Sequence, residues 1–267
     1  SFTPLPVMID PEIWFLFPLG IGIAILAISS GINGSNFWIP VYVVWLGFDA
    51  KTAFWLGLVT MMFGFGAGVW KNFRANLIHW FLVRQYLKVC IPLSVGGGIL
   101  SSYVSHSLVL SVFGVFITAF GCYRVLQQVG LRGAPTIPHT RVFWSVGAIG
   151  GFLIGFITTG LGKLLRPCLM NHRQIHHHAE AVGTTVTITF IVSFFALCSR
   201  MDTTLVEALI RDQAVLISTM FFVVPGVIIG GHFGPLVAQK LERAHLEMYA
   251  GVLMVVVGGM ILLHIIT

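Results

Sequence analysis

Two glycine-containing breaks in an otherwise apolar sequence carry the side chains best suited to binding a small anion. The first break lies around Gly31 and offers neutral hydroxyl and amide groups, on Ser30, Asn33, Ser35 and Asn36. The second break follows Gly160 and offers two cations, Lys163 and Arg166. All six side chains can donate hydrogen bonds to an oxyanion and replace the water that it loses on leaving solution. A broken helix also exposes backbone N–H groups at a positive helix end, which favours the same kind of ligand.

The composition places these breaks inside a membrane protein. Of the 267 residues, 57% are hydrophobic and only 9% are charged, whereas soluble domains carry about 25% charged residues. Apolar runs near the length that spans a bilayer recur along the whole chain and predict an all-α integral membrane fold. Eight runs are long, at 13–32, 52–70, 86–104, 107–126, 142–160, 179–199, 214–238 and 246–266. Two proline-containing runs, 36–47 and 164–171, are too short to span as straight helices, so they either cross as broken helices or re-enter.

The basic residues collect in short loops, which indicates membrane orientation and not a nucleic-acid surface. By the positive-inside rule, the loops 71–85 and 127–141 are predicted to be cytoplasmic, in a multi-pass protein of the plasma (inner) membrane. Asp10 and Glu12 precede the first apolar run without any lysine or arginine. They favour an external N-terminus, which requires the 36–47 run to cross. The same acidic start is unlike a secretory signal peptide.

Several candidate residues have two interpretations. Lys163 and Arg166 are costly inside a bilayer, by about 2.5–3.5 kcal/mol at a helix centre, and are therefore functional candidates; near the surface they could simply extend into water. Thr184 and Thr185 begin the helix after the second break, where they could contact an anion or bond to carbonyl groups of their own helix. Acidic residues are nearly absent from the apolar runs. The candidates for proton coupling are therefore Glu180, a histidine such as His176, or the substrate itself.

Four clustered histidines offer a rival interpretation. At this spacing, imidazole groups could bind zinc or iron, and the pattern resembles one histidine box of the membrane di-iron oxygenases. The four residues are His172, His176, His177 and His178. Such enzymes need several boxes, and the remaining histidines are isolated. We therefore predict that the histidines form a solvated polar turn and that the protein is not an enzyme and binds no metal or other cofactor. A metal-binding membrane protein that uses these histidines remains the alternative. No phosphate-binding glycine loop of the ATPase type is present.

The chain is internally duplicated. Each half has a long run ending in a glycine break, a short proline-containing run, a long run that begins at a polar turn, a charged loop and two further long runs. We predict an N-terminal segment at 1–12, a first repeat at 13–127, a cytoplasmic linker at 128–141 and a second repeat at 142–267. If the short runs cross, five passes invert the second repeat, as in many secondary transporters; if they re-enter, four passes leave the halves parallel. Inversion is the favoured prediction.

The order of these motifs resembles the TauE/SafE family of membrane exporters. That family repeats a glycine-rich stretch, a proline and an A-x-x-T-S-like helix start. Here Gly31-x-x-Gly34 precedes Pro40, Gly160-x-Gly162 precedes Pro167, and Ala181-Val-Gly-Thr-Thr185 matches the second helix start. The resemblance implies export of sulfite or a small organosulfonate, coupled to an ion gradient. The polar and charged residues within the glycine clusters depart from the family pattern and leave open another small anion, a reduced sulfur species or a channel-like pathway. Oligomeric state does not follow from the sequence.

Overall fold

The structure, a computed structural model, describes residues 10–30, 33–129, 140–170, 172–175, 177–240 and 243–266. Within these ranges every regular element is helical, which confirms the all-α prediction. A 3-10 turn at Pro11–Ile13 precedes α1, and a π-helical segment at Val41–Trp45 follows α2. The α-helices are α1 Leu16–Ser30, α2 Ser35–Pro40, α3 Ala50–Arg74, α4 Trp80–Tyr103, α5 His106–Gln128, α6 Thr140–Ile157, α7 Leu161–Met170, α8 His178–Ser199, α9 Thr203–Arg211, α10 Gln213–Lys240 and α11 Arg243–Ile266.

Each long apolar run of the sequence overlaps one long helix. The short run 36–47 corresponds to α2 and the π-helical segment after it, and the short run 164–171 overlaps α7. Six spans in the described residues are long and apolar enough to cross a membrane: Pro11–Ser29, Ala50–Arg74, His106–Gln128, Ala179–Ser199, Gln213–Phe233 and Leu246–Ile265. Helices α4 and α6 are not among them. Arg84 and Lys88 lie in the first half of α4, and the apolar part of α6, Trp144–Ile157, is shorter. That eight long helices cross stays a prediction. Helix α9 was not predicted.

Two pairs of helices pack in parallel through glycines. On α10, a methyl group added to Gly230 would lie 2.5 Å from the carbonyl oxygen of Ile21 on α1. On α6, a methyl group added to Gly151 would lie 2.8 Å from Cα of Cys90 on α4. The thiol of Cys90 also donates to the carbonyl oxygen of Gly147, at 3.2 Å. Close backbone approach through small residues is the usual way in which membrane helices associate.

Two further pairs of helices run antiparallel. Along α5 and α11, Gly121 faces Gly251, whereas the earlier Gly114 faces the later Gly258. Along α3 and α8, the earlier Gly66 meets Phe190 and the later Gly68 meets Val186. In both pairs, contacts further along one helix are made further back along the other. The fifth helix of each half therefore runs opposite to its counterpart, and so does the third.

The contacts in the two halves correspond to one another. Helix α1 packs on α10 as α6 packs on α4, and α2 packs on α3 as α7 packs on α8. The helix-capping residues of α3 and α8, Asp49 and His177, are 128 residues apart. We refer to the end of the bundle that carries the link between α3 and α4, with Lys71 and Arg74, as the basic end. The other end, which carries the link between α4 and α5 at Val104, is the opposite end.

Candidate functional site

The two glycine breaks meet inside the bundle. The side-chain amide of Asn33 donates to the carbonyl oxygen of Thr158 at 3.3 Å, and the hydroxyl of Ser35 donates to the same oxygen at 3.2 Å. Thr158 and Gly160 have φ angles of 58° and 108°. The value at Gly160 lies where side chains with a Cβ rarely fit, so glycine is required for the chain to turn from α6 into α7. The two breaks are thus held together by hydrogen bonds between their polar groups.

A cavity of about 800 Å³ lies against this junction. Residues from α1, α3, α7, α8 and α10 line it. Its polar lining comprises Asn33, Thr60, Asn72, Thr185, Thr189 and His232, besides the charged groups described below. Trp70 and Lys71, near the end of α3, also line it and are exposed. The cavity therefore extends from the junction of the breaks towards the basic end.

The charges along this cavity are all of one sign. Lys71 and Arg74 lie towards the basic end, and Lys163 and Arg166 lie on α7 beside the break. Among the described lining residues there is no aspartate or glutamate. Four cations around one cavity raise the local concentration of anions and disfavour cations.

Lys163 is the most unusual of these cations. It is 7% exposed, and its ammonium group makes no hydrogen bond to any described residue. The group lies over two aromatic rings, 4.7 Å from the centre of Phe120 and 5.5 Å from that of Phe116. The guanidinium of Arg124 lies 5.3 Å from the centre of the same Phe120 ring and pairs with the carboxylate of Glu247 at 3.1 Å. A buried charge without a partner is costly, so the surroundings of Lys163 suit an anion bound beside it.

Thr185 and Thr189 of α8 line the cavity, but their hydroxyl hydrogens are already donated to carbonyl groups of their own helix. Thr185 donates to the carbonyl oxygen of Ala181 at 2.7 Å, and Thr189 donates to that of Thr185 at 2.8 Å. Across the cavity, Thr60 shares a hydrogen bond of 2.7 Å with the hydroxyl of Tyr42. In this state Thr185 and Thr189 offer lone pairs more readily than hydrogens, so the hydrogen-bond donors beside the junction come from Lys163, Arg166 and Asn33.

The remaining candidates lie elsewhere. Thr184 accepts a hydrogen bond from the backbone N–H of His79 at 2.9 Å and so ties the α3–α4 link to α8. Ser35 and Asn36 are fully buried but do not line the cavity, and neither does Glu180 in the first turn of α8. The side chain of Ser30 and the whole of His176 lie outside the described residues.

Of the histidine cluster, the structure describes the side chains of His172 and His177. No group of three histidine, cysteine, aspartate or glutamate side chains that could hold a metal ion occurs among the described residues.

Other lining residues were missed at the level of sequence. Lys71 and Arg74 were interpreted only as orientation signals, although they line the cavity. Thr189 lies one helical turn after Thr185, a spacing that could have identified it. Nothing in the sequence around Thr60 and Trp38 distinguishes them from ordinary core residues.

The opposite end of the bundle is closed around a buried arginine. Arg200, 5% exposed, donates three hydrogen bonds of 2.6–3.0 Å to the last carbonyl oxygens of α6, those of Gly155 and Phe156. Its guanidinium group also lies 5.3 Å from the ring centre of Phe54 on α3. A cation is favourable at the negative end of a helix. Arg200 therefore joins α8, α6 and α3 at this end.

An ion pair reinforces the same end. Lys51 on α3 lies 2.9 Å from Asp202, the residue that caps α9. Burial by itself would raise the pKa of Asp202, but hydrogen bonds from Lys51, the N–H of Leu205 and Thr204 outweigh it and hold that pKa below its usual value.

We predict that Arg200→Leu lowers the melting temperature of the detergent-purified protein by several degrees. The change leaves the carbonyl oxygens of Gly155 and Phe156 without their hydrogen-bond donor. Each buried polar group left unsatisfied lowers the free energy of unfolding by about 1–3 kcal/mol. Arg211→Leu is the matched control, because Arg211 is exposed and forms its ion pair with the adjacent Asp212 at the surface, an interaction worth little. Equal melting temperatures for the two variants would contradict a structural role for Arg200.

These features define a polytopic helical membrane protein with a cation-lined cavity beside two broken helices. The sequence profile of the family described as "Sulfite exporter TauE/SafE" matches residues 16–261, and the chain belongs to that family of exporter-type membrane transporters. The resemblance noted in the sequence is thereby confirmed. No curated protein sequence and no solved structure matches the chain.

Proposed function

We propose that this protein is a secondary transporter that exports a small sulfur-containing anion, either sulfite or an organosulfonate. The observation that carries the proposal is the cavity beside the breaks, whose charged lining among the described residues is entirely basic. The ammonium of Lys163, near the start of α7, has no hydrogen-bond partner in the part of the chain that the structure describes and adds a strong donor. Membership of the TauE/SafE family supports the choice of a sulfur anion over other anions.

We propose that the halves are inverted repeats, with eight long helices and two short crossing pieces. Two observations support inversion: α5 runs antiparallel to α11, and α3 runs antiparallel to α8. If α2 and α7 re-entered, each half would cross four times and its helices would run parallel to their counterparts. Five crossings per half reverse every counterpart, in agreement with the observed directions. Substrate sites of such transporters lie near the midplane where the repeats meet.

The same arrangement suggests an orientation. The loops 71–85 and 127–141, which carry lysine and arginine, are proposed to face the cytoplasm, with the protein in the plasma (inner) membrane. The cavity would then open to the cytoplasm, and the end closed by Arg200 would face outward. A cavity open to the inside with a closed outer end is the state that receives a substrate for export.

Ion coupling is proposed to act through the substrate. Glu180 does not line the cavity, and no carboxylate does so among the described lining residues. Sulfite can itself take up a proton near neutral pH, so a proton can travel with the anion without any side chain to carry it. An organosulfonate such as methanesulfonate cannot, and we expect its movement to be independent of an imposed pH gradient.

Anion recognition is tested by thermal unfolding of the purified protein in detergent. We expect sulfite to raise the melting temperature, because a ligand at about 100 times its Kd stabilises the folded state by about 2.7 kcal/mol. Sodium chloride at equal ionic strength serves as the control for screening. If sulfite, methanesulfonate and chloride all have the same effect, the cavity does not recognise a sulfur oxyanion.

A further inference from the structure

A group of buried polar side chains lies beside the junction of the breaks but outside the cavity. Asn36 on α2 and Thr158 and Thr159 in the second break are each 0% exposed. Both side-chain atoms of Asn36 and both threonine hydroxyls lack a hydrogen-bond partner in the part of the chain that the structure describes. Buried polar groups are nearly always satisfied. Four unsatisfied atoms around one junction therefore need an explanation.

The explanation comes from the position of Asn36 in its repeat. Pro40 and Pro167 are equivalent prolines of the two short pieces, and they are separated by 127 residues. Asn36 and Lys163 are separated by the same 127 residues. Counted from these prolines, which lie on the short pieces themselves, Asn36 is the first-repeat counterpart of Lys163, and both are buried polar side chains without a hydrogen-bond partner among the described residues. Lys163 lines the cavity that is open, whereas Asn36 does not.

In inverted repeats, the two halves exchange their conformations when access changes from one side to the other. The surface exposed at the opposite end then contains the counterparts of the residues that now line the cavity. We infer that Asn36, Thr158 and Thr159 form the outward half of the anion path, the polar surface that the anion contacts when the opposite end opens. This inference rests on the proposed function and adds residues that the present cavity does not expose.

Asn36 and Thr158 are linked through a hydrogen bond made by the neighbouring Ser35. Ser35, the residue before Asn36, donates its hydroxyl hydrogen to the backbone carbonyl of Thr158, at 3.2 Å. A movement that opens this junction from the opposite end would therefore uncover both sides together. The uncovered amide and hydroxyl groups can donate to an oxyanion, which removes the cost of leaving them unsatisfied.

The two halves of the path would differ in charge. The inward half contains Lys163 and Arg166, whereas the outward half contains a neutral amide at Asn36 and neutral hydroxyls at Thr158 and Thr159. Hydrogen bonds to charged groups are stronger than those between neutral groups. The anion is then held more tightly at the inner face and released more readily at the outer face.

The first experiment measures access to Asn36 and needs no substrate. In a background that lacks the exposed Cys122 and Cys198, Asn36→Cys is treated with a membrane-impermeant methanethiosulfonate reagent in right-side-out and in everted vesicles. We expect labelling of Asn36→Cys from the outside. Thr185→Cys, in the cavity, should be labelled from the inside. Thr219→Cys replaces an equally buried, unsatisfied hydroxyl on α10 and should be labelled from neither side.

Thr159→Cys provides a second position if Asn36→Cys does not fold. Labelling of both positions from the inside only, or of neither position in folded protein, would overturn the inference. This result does not depend on sulfite, so it remains decisive even if the proposed substrate is wrong.

The second experiment measures the difference between the faces. The half-saturating concentration of radiolabelled sulfite is determined for the outer face in right-side-out vesicles and for the cytoplasmic face in everted vesicles. We expect a half-saturating concentration about tenfold lower at the cytoplasmic face, and Asn36→Leu should weaken only the outer face. Equal values at both faces, or an outer face unaffected by Asn36→Leu, would overturn the inference.

Discussion

Replacement of Lys163 by methionine is expected to raise the half-saturating concentration of sulfite about 10- to 100-fold, or to abolish sulfite exchange in proteoliposomes. The buried ammonium has no hydrogen-bond partner among the described residues, so we expect the bound anion to be its partner. A hydrogen bond to a charged group is worth about 1.5–3 kcal/mol, which corresponds to that range in affinity. The measurement is the concentration dependence of exchange between external radiolabelled sulfite and internal unlabelled sulfite.

The same substitution should leave stability unchanged or increase it. Methionine removes a buried charge and keeps an apolar side chain against Phe116 and Phe120. Lost exchange together with an unchanged or higher melting temperature identifies a functional residue. Lys51→Met is the matched control, because Lys51 pairs with Asp202 at the opposite end and should not alter half-saturation by sulfite at the basic end. Normal exchange in Lys163→Met would refute the placement of the site.

The second large effect concerns packing of the bundle, and it separates two adjacent glycines on α4. Gly97→Ala is expected to destabilise the protein by about 1–3 kcal/mol or more, because the added methyl group would meet the backbone of Phe152 and lie 3.0 Å from the backbone nitrogen of Phe156. Backbone atoms cannot move aside as a flexible side chain can, so α4 and α6 must separate. Thermal unfolding in detergent measures the loss.

Gly96→Ala is the matched control. A methyl group at Gly96 meets nothing within 4 Å, so this variant should unfold at the same temperature as the unmodified protein or slightly above it. Since the junction of the breaks follows directly from α6, Gly97→Ala should also reduce sulfite exchange. Equal stability of the two variants would show that α4 and α6 do not pack as closely as described.

The helical framework could be predicted because run length and hydropathy determine which segments span a bilayer. Each run of apolar residues became a helix, and the glycine breaks separate α1 from α2 and α6 from α7. Helix α9 was missed because it is nine residues long and mixes Glu207 and Arg211 with apolar residues, so hydropathy over a membrane-length window does not detect it.

The site was only partly predictable, because a sequence does not tell which side of a short helix meets a cavity. Lys163 and Arg166 were identified by their cost in a bilayer, and both line the cavity. Asn36 was grouped with Asn33, yet only Asn33 lines it. The use of the Thr185 hydroxyl by its own helix, and the capping of α6 by Arg200, depend on local geometry. Arg200 ends an apolar run, where an exposed charge is the usual outcome.

The most direct test of the central claim is flux of radiolabelled sulfite by the unmodified protein in proteoliposomes, with and without an imposed pH gradient. The account predicts sulfite flux above that of empty liposomes, dependent on the gradient, and methanesulfonate flux that the gradient does not alter. Folded protein that moves neither sulfite nor methanesulfonate above empty liposomes would contradict the account.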